Sequence, residues 1–253
     1  MTLYDWPRAS AFGRVIPKNK IYEHAGANTA LKDLFVREVD QIVWSHKLAP
    51  ETINLPATKA VTEIQVFRIT QREKTLSIDA LRAIDRAIPF PLLFELAHGG
   101  KVKLAAAYKR PSEADSTKWV LGDYFESEWL NEDAPRTALP VALTMGALYE
   151  QLLGPLVEEQ TVRLAPGATT GFAEAPQASF AAGPVIQPLS LEERIAQAEA
   201  IRAMTREVER IKARLGREKQ FNKRVAINAE LRAAKQELER LAGKSPVQAL
   251  VKE

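Results

Sequence analysis

Apolar positions recur at helical spacing through residues 31–47, where Leu31, Leu34, Phe35, Val39, Ile42 and Val43 form one stripe. The spacing predicts a single amphipathic helix, capped by Asn28 or Thr29, with Asp33 in its first turn and Lys47 at its end. Pro50 closes that neighbourhood. Residues 63–69 then alternate polar with β-branched or aromatic side chains and predict a strand. Ser77 precedes a second helical stripe, Ile78, Leu81, Ile84 and Ile88, which stops at Pro89. Residues 92–96 and 102–108, joined through Gly99 and Gly100, predict a hairpin, because paired glycines supply the positive φ of a tight turn. A further strand is expected over 119–125, and a third helix over 141–153, halted by Gly154 and Pro155.

The grammar changes after this region. Residues 164–190 are dominated by Ala, Pro, Gly, Thr and Gln, with Glu174 as the one charge, and read as a flexible linker. From Leu191 to Leu241 there is no proline and a single glycine, and helix-forming residues dominate. Ile201, Met204, Val208, Ile211 and Leu215 step by 3 and 4, as does a second seam through Ile227, Leu231, Ala234, Leu238 and Leu241. The seams are out of phase across Gly216 and the polar tract behind it. A stutter in one long rod and a turn between two antiparallel helices both account for that break. The hairpin is the expectation, since each half carries its own seam and Gly216 offers a C-cap.

The expected organisation is therefore an α+β domain at 1–163, the linker at 164–190 and a helical coiled-coil module at 191–253. The first is a small mixed sheet with amphipathic helices. Charge follows the same boundary: residues 191–253 hold 15 Lys or Arg against 10 Glu, so +5 of a chain whose total is +3 lies there, and −2 lies elsewhere. Any attraction to nucleic acid is expected in that tail or in a local basic patch.

Composition narrows the chemistry further. The 253 residues include no cysteine, so thiol nucleophiles, disulfides and cysteine-ligated metals are excluded. The three histidines, His24, His46 and His98, show no metal-ligand spacing. No phosphate-binding glycine loop and no nucleophile elbow occurs, no run approaches a membrane span, and nothing resembles a leader, so a cytoplasmic chain without a resident cofactor or metal is expected. Two candidate sites stand out. Glu63 and Gln65, alternate residues on one strand, together with Asp123, Glu126 and Glu128, could serve a magnesium-dependent nuclease, although Gln65 stands where such chemistry uses a lysine. Lys18, Asn19, Lys20 and Tyr22, with Lys47, form a basic and aromatic cluster suited to phosphates, bases or a partner. The seam residues Ile201, Met204, Val208, Ile211, Leu215, Ile227, Leu231 and Leu238 are the candidate helix-association interface, within one chain or between copies in a homo-oligomer.

Several stretches carry a family resemblance: residues 16–23 (IPKNKIYE), 31–36 with Trp44, 47–54 (KLAPETIN), 63–67, 124–129 (YFESEW) and 218–222 (EKQFN). The chain resembles a bacterial family catalogued as the domain of unknown function 4391. That resemblance implies an accessory part of a DNA-targeting, restriction-like antiviral system, next to a helicase or DNA methyltransferase. The expected function is an interaction and assembly subunit that partners such an enzyme and contacts DNA, with the magnesium-dependent nuclease as the alternative.

Overall fold

In the computed structural model, residues 3–112, 114–115, 118–164 and 189–243 are described. The chain divides into two compact units, Met1–Leu156 and Val157–Glu253. The linker expected at 164–190 falls almost entirely outside the described residues.

The first unit is the expected mixed α+β domain. Its strands and helices follow in the order β1 (Leu3–Asp5), β2 (Ala11–Val15), α1 (Lys18–Ala25), α2 (Thr29–Glu38), β3 (Val39–Leu48), α3 (Pro50–Ile53), β4 (Ile64–Gln71), α4 (Ile78–Ala87), β5 (Leu92–His98), β6 (Lys101–Pro111), β7 (Trp119–Glu126), β8 (Leu130–Asn131) and β9 (Arg136–Ala138). A seven-stranded sheet runs β2-β3-β4-β5-β6-β7, with β8 added on β6, and β1 pairs separately with β9. Every neighbour in the large sheet is antiparallel except β4 and β5, which run parallel because α4 carries the chain back across one face.

That face holds one core. Ile21 of α1, Phe35 of α2 and Leu81 and Ile84 of α4 pack on Phe67, Ile69, Phe94 and Leu96 of the sheet, all at most 3% exposed. On the opposite face the alternate residues Val66, Leu93, Leu104 and Phe125 are buried too, so the central strands read as nearly continuous apolar runs.

Local expectations hold where the cap or turn residue acts alone. The Asn28 side chain accepts from the Leu31 amide and that of Ser77 from the Asp79 amide, each opening a helix. Gly99 and Gly100 turn the β5–β6 hairpin with φ of 56° and 74°.

Several expectations are corrected. The helix read over 31–47 ends at Glu38, and residues 39–48 are strand β3; Asp33 lies beyond the first turn. Two bulges, at 39/41 and 44/46, explain the misreading. An inserted residue turns the strand period of two into a local spacing of three, so Phe35, Val39 and Ile42 keep helix-like steps while all face one core. The basic segment before that helix is itself helical, as α1.

The third helix, α5 (Met145–Leu164), runs straight through Pro155. An interior proline costs about 3 kcal/mol, but Leu152, Leu153, Leu156 and Val157 around it are all at most 1% exposed. Burial at roughly 1.5–3 kcal/mol per large apolar side chain outweighs that cost.

The second unit begins inside α5 and continues with α6 (Leu191–Arg217) and α7 (Phe221–Ala242). Gln197 reaches the Leu241 carbonyl at 3.0 Å, and Arg214 pairs with Glu230, so the two helices run antiparallel. Ile201, Val208, Leu238 and Ala242 are buried together, with Met204, Leu231, Ala234 and Leu241 against them. The predicted seams thus face each other within one chain, and Ile211 and Ile227 are buried as well. Gly216 does not cap α6: the helix continues to Arg217, with Glu218 as its C-cap.

Candidate functional site

Glu63 of the nuclease reading sits where β3 ends and β4 begins. Antiparallel pairing places Lys47 directly opposite Gln65, and α3 brings Glu51 back over the same edge. Lys47 Nζ lies 2.8 Å from Glu51 Oε1 and 3.4 Å from Glu63 Oε2. Gln65, 3% exposed, donates to Glu63 Oε1. The hydrogen bond from Lys47 pulls the Glu51 carboxyl below its ordinary range and lifts the lysine above its own. Two carboxylates therefore share one ammonium, and the amine absent at position 65 is supplied across the strand pair by Lys47.

The remaining acids of that reading lie elsewhere. Asp123 is 3.4 Å from Arg82 and Glu126 pairs with Lys103, both on β7. β7 stands three strands from β4, about 14 Å by strand spacing. Among the described residues no three His, Asp or Glu side chains come together as a metal site.

The N-terminal basic cluster is largely committed to the fold. Lys18 Nζ donates to the Phe35 carbonyl at 3.3 Å and to that of Val39, closing the C-terminal end of α2. Its pKa is lowered, chiefly by burial and then by Arg72. Lys20 pairs with Glu23 at 3.1 Å, and Tyr22 packs edge-on against Phe35, 5.5 Å between centroids. Asn19 is exposed beside them. The structure brings Lys18 and Tyr22 to the α2 core and leaves Lys47 with the acids at the other site.

Two buried charge clusters escaped the sequence reading. Asp85, at the end of α4, is 2% exposed, and Lys109 of β6 is 3% exposed. Lys109 Nζ donates to the carbonyls of Asp85 and Ile88, each at 2.5 Å, and lies 3.5 Å from Asp85 Oδ1. Tyr124 donates its hydroxyl to Asp85 Oδ2. Burial raises the Asp85 carboxyl to about 6, against the opposing pull of Lys109, and burial likewise lowers Lys109.

On the other face Glu95 accepts from Trp6 Nε1 and Arg136 Nη1, both at 2.8 Å, with Arg68 at 3.5 Å. The Trp6 ring lies 6.0 Å from the His46 ring, whose Nδ1 has no hydrogen-bond partner and whose pKa burial depresses. The sequence held a signal for both clusters. Glu95 is an isolated charge inside LLFELAH, and Asp85 falls four residues after Leu81, along the apolar stripe of its helix.

A cleft of about 450 Å³ opens between α1, α2 and α4, lined among others by Gly26, Asn28, Leu34, Asp79, Arg82 and Arg86. Its two guanidiniums outnumber its one carboxylate, which suits a small anion better than a cation.

In the second unit the exposed chemistry gathers where α6 meets α7. Phe221 is 77% exposed and Val225, one turn on, 51%. No described helix is long and apolar enough to cross a membrane.

A family model described as Domain of unknown function (DUF4391) matches residues 4–238. No curated protein and no solved structure matches the chain.

Proposed function

We propose a function for this chain from the premise that it belongs to the DUF4391 family: it is an accessory interaction and assembly subunit of a bacterial DNA-targeting antiviral system, partnering a helicase or DNA methyltransferase and contacting DNA. The defence setting comes from what the family resemblance implies. The observation that favours a binding role over a hydrolytic one is the pairing at the β3–β4 edge. The acids Glu51 and Glu63, which a metal-assisted reaction would need, are bridged by Lys47, while Asp123 and Glu126, on another part of the sheet, are tied to Arg82 of α4 and Lys103 of β6.

The reading is tested by recovering the tagged full-length chain from its native cell, with and without nuclease digestion, and identifying what accompanies it. A helicase or DNA methyltransferase retained after digestion is the expected result. Recovery of neither, or loss of both on digestion, overturns direct partnership.

A second reading, the magnesium-dependent nuclease, has one observation in its favour: Lys47 stands 3.4 Å from Glu63, opposite Gln65, as a substitute for the absent strand lysine. Magnesium takes oxygen ligands, and Glu51 and Glu63 offer them only if the ion takes the place of that ammonium. Incubation with single- and double-stranded DNA plus magnesium or manganese is expected to leave both intact. Cleavage that disappears in Glu63→Ala would move the function to this second reading.

A further inference from the structure

The lysines that the sequence singled out are bonded within the molecule, which raises the question of where free positive charge resides. One concentration of it lies at the turn between α6 and α7. Arg217 ends α6, Lys219 sits in the turn, and Lys223 and Arg224 lie in the first turns of α7. None of the four forms an ion pair with any described residue; further along the pair Arg210, Lys212, Arg214 and Arg240 are matched with glutamates, while Arg206, Arg232 and Lys235 are not. Glu218, the one acid in the stretch from Arg217 to Asn228, accepts from the Gln220 amide.

Arg217 suits the C-terminal end of α6, but Lys223 and Arg224 do not serve the helix that carries them. Acids in a first turn stabilise a helix and cations oppose it. α6 obeys that rule, with Glu192 and Glu193 in its first turn and a Ser190–Glu193 capping box. α7 breaks it: its first turn holds no acid, and its N-cap Gln220 makes no side-chain cap bond. Phe221 at the same point is 77% exposed, although Ile227 less than two turns on is buried. An exposed ring beside cations that α7 does not use for its own stability suits a ligand that has anionic groups and flat apolar faces together.

We propose that the α6–α7 tip binds a single-stranded nucleic acid, with Arg217, Lys219, Lys223 and Arg224 on successive phosphates and the Phe221 ring stacked on an unpaired base. Phosphates match the four cations, and a base face matches a ring that duplex stacking would leave without a partner. This inference rests on the nucleic-acid part of the proposed function and names the surface responsible for it.

The test uses the full chain and fluorescence anisotropy with labelled single-stranded DNA, RNA of the same sequence, and blunt duplex DNA, each at rising salt. For four phosphate contacts the slope of log affinity against log salt on single strands is expected near −3, at roughly 0.7 per contact. Phe221→Ala is expected to weaken single-strand binding about tenfold while leaving the slope unchanged. Replacing all four cations by glutamine is expected to flatten the slope, with an unaltered helical circular dichroism signal. The DNA and RNA arms tell which strand is preferred. The inference is overturned if the quadruple variant binds as the parent does, or if duplex binds as tightly as single strands and ignores Phe221→Ala. It is overturned as well if the parent binds no probe; should a partner enzyme still be recovered from the native cell, the assembly reading stands without it.

Discussion

Lys109→Met is expected to lower the unfolding free energy by about 3–5 kcal/mol, because it removes one partner of a buried ion pair. The ammonium does more than face Asp85. It donates to the carbonyls of Asp85 and Ile88 at the end of α4, groups that have no further turn of helix to bond them. Methionine keeps most of the volume, so the loss reports charge and hydrogen bonding rather than a cavity.

The pH dependence separates the two. Burial already raises Asp85 to about 6, with Lys109 holding it down. A carboxyl whose folded pKa exceeds its unfolded value contributes stability at low pH and loses it as pH climbs through the folded value. In the parent that loss is complete soon above pH 6. Without Lys109 the folded pKa rises further and the loss extends through neutrality. Urea midpoints of parent and variant are therefore expected to lie closer at pH 5 than at pH 7.5. An equal gap at both would mean that Asp85 does not feel the lysine.

Glu95→Ala is the second large effect, about 3 kcal/mol. It leaves the guanidiniums of Arg68 and Arg136 and the indole of Trp6 without their common acceptor. Glu95→Gln retains an acceptor oxygen and is expected to cost less than half as much. The damage has an address: Arg136 also donates to the Tyr4 carbonyl at 2.8 Å, in the small pairing of β1 with β9. Amide exchange at Leu3 to Asp5 is expected to accelerate more than exchange in β4 and β5.

His46 supplies an independent check. Burial depresses its pKa, and the nearby Glu95 charge partly offsets that. Without Glu95 the folded value falls further. A depressed histidine contributes stability above its unfolded pKa that fades on acidification, so Glu95→Ala is expected to lose stability more steeply than the parent between pH 7 and pH 5. A parallel decline would remove His46 from the cluster.

These two clusters belong to the fold of the first unit, while the chemistry that faces outward is concentrated in the paired acids around Lys47, the arginine-lined cleft and the α6–α7 tip. Lys18 shows how context changes a residue's meaning. In sequence it is one of two lysines beside a tyrosine; in the structure it closes the carbonyl end of α2.

Features that a few neighbouring residues decide were legible from the chain alone. Ser77 before an apolar stripe placed α4, Gly99 and Gly100 placed the β5–β6 turn, and the two phases of the 3–4 seams placed the antiparallel pair α6 and α7. Each rests on local geometry: a cap, a positive φ, or one helix period against another. The mixed α+β character followed from the same signals, and the +5 charge of residues 191–253 is read directly from the chain.

What depends on distant partners was not legible. Strand β3 imitates a helix because its bulges are set by pairing with β2 and β4, and α5 passes Pro155 because burial of its leucines outweighs a lost backbone bond. Pairing of β1 with β9 joins residues 133 positions apart, and no local preference encodes such a contact. Glu63 and Gln65 were visible as a strand pattern, but the lysine between Glu63 and Glu51 comes from the neighbouring strand, and only the register of β3 on β4 put it there. Sequence determined which segments were helix or strand wherever caps and periods acted alone, and tertiary structure decided which charges were spent on one another, because ion pairing depends on distance in space and not along the chain.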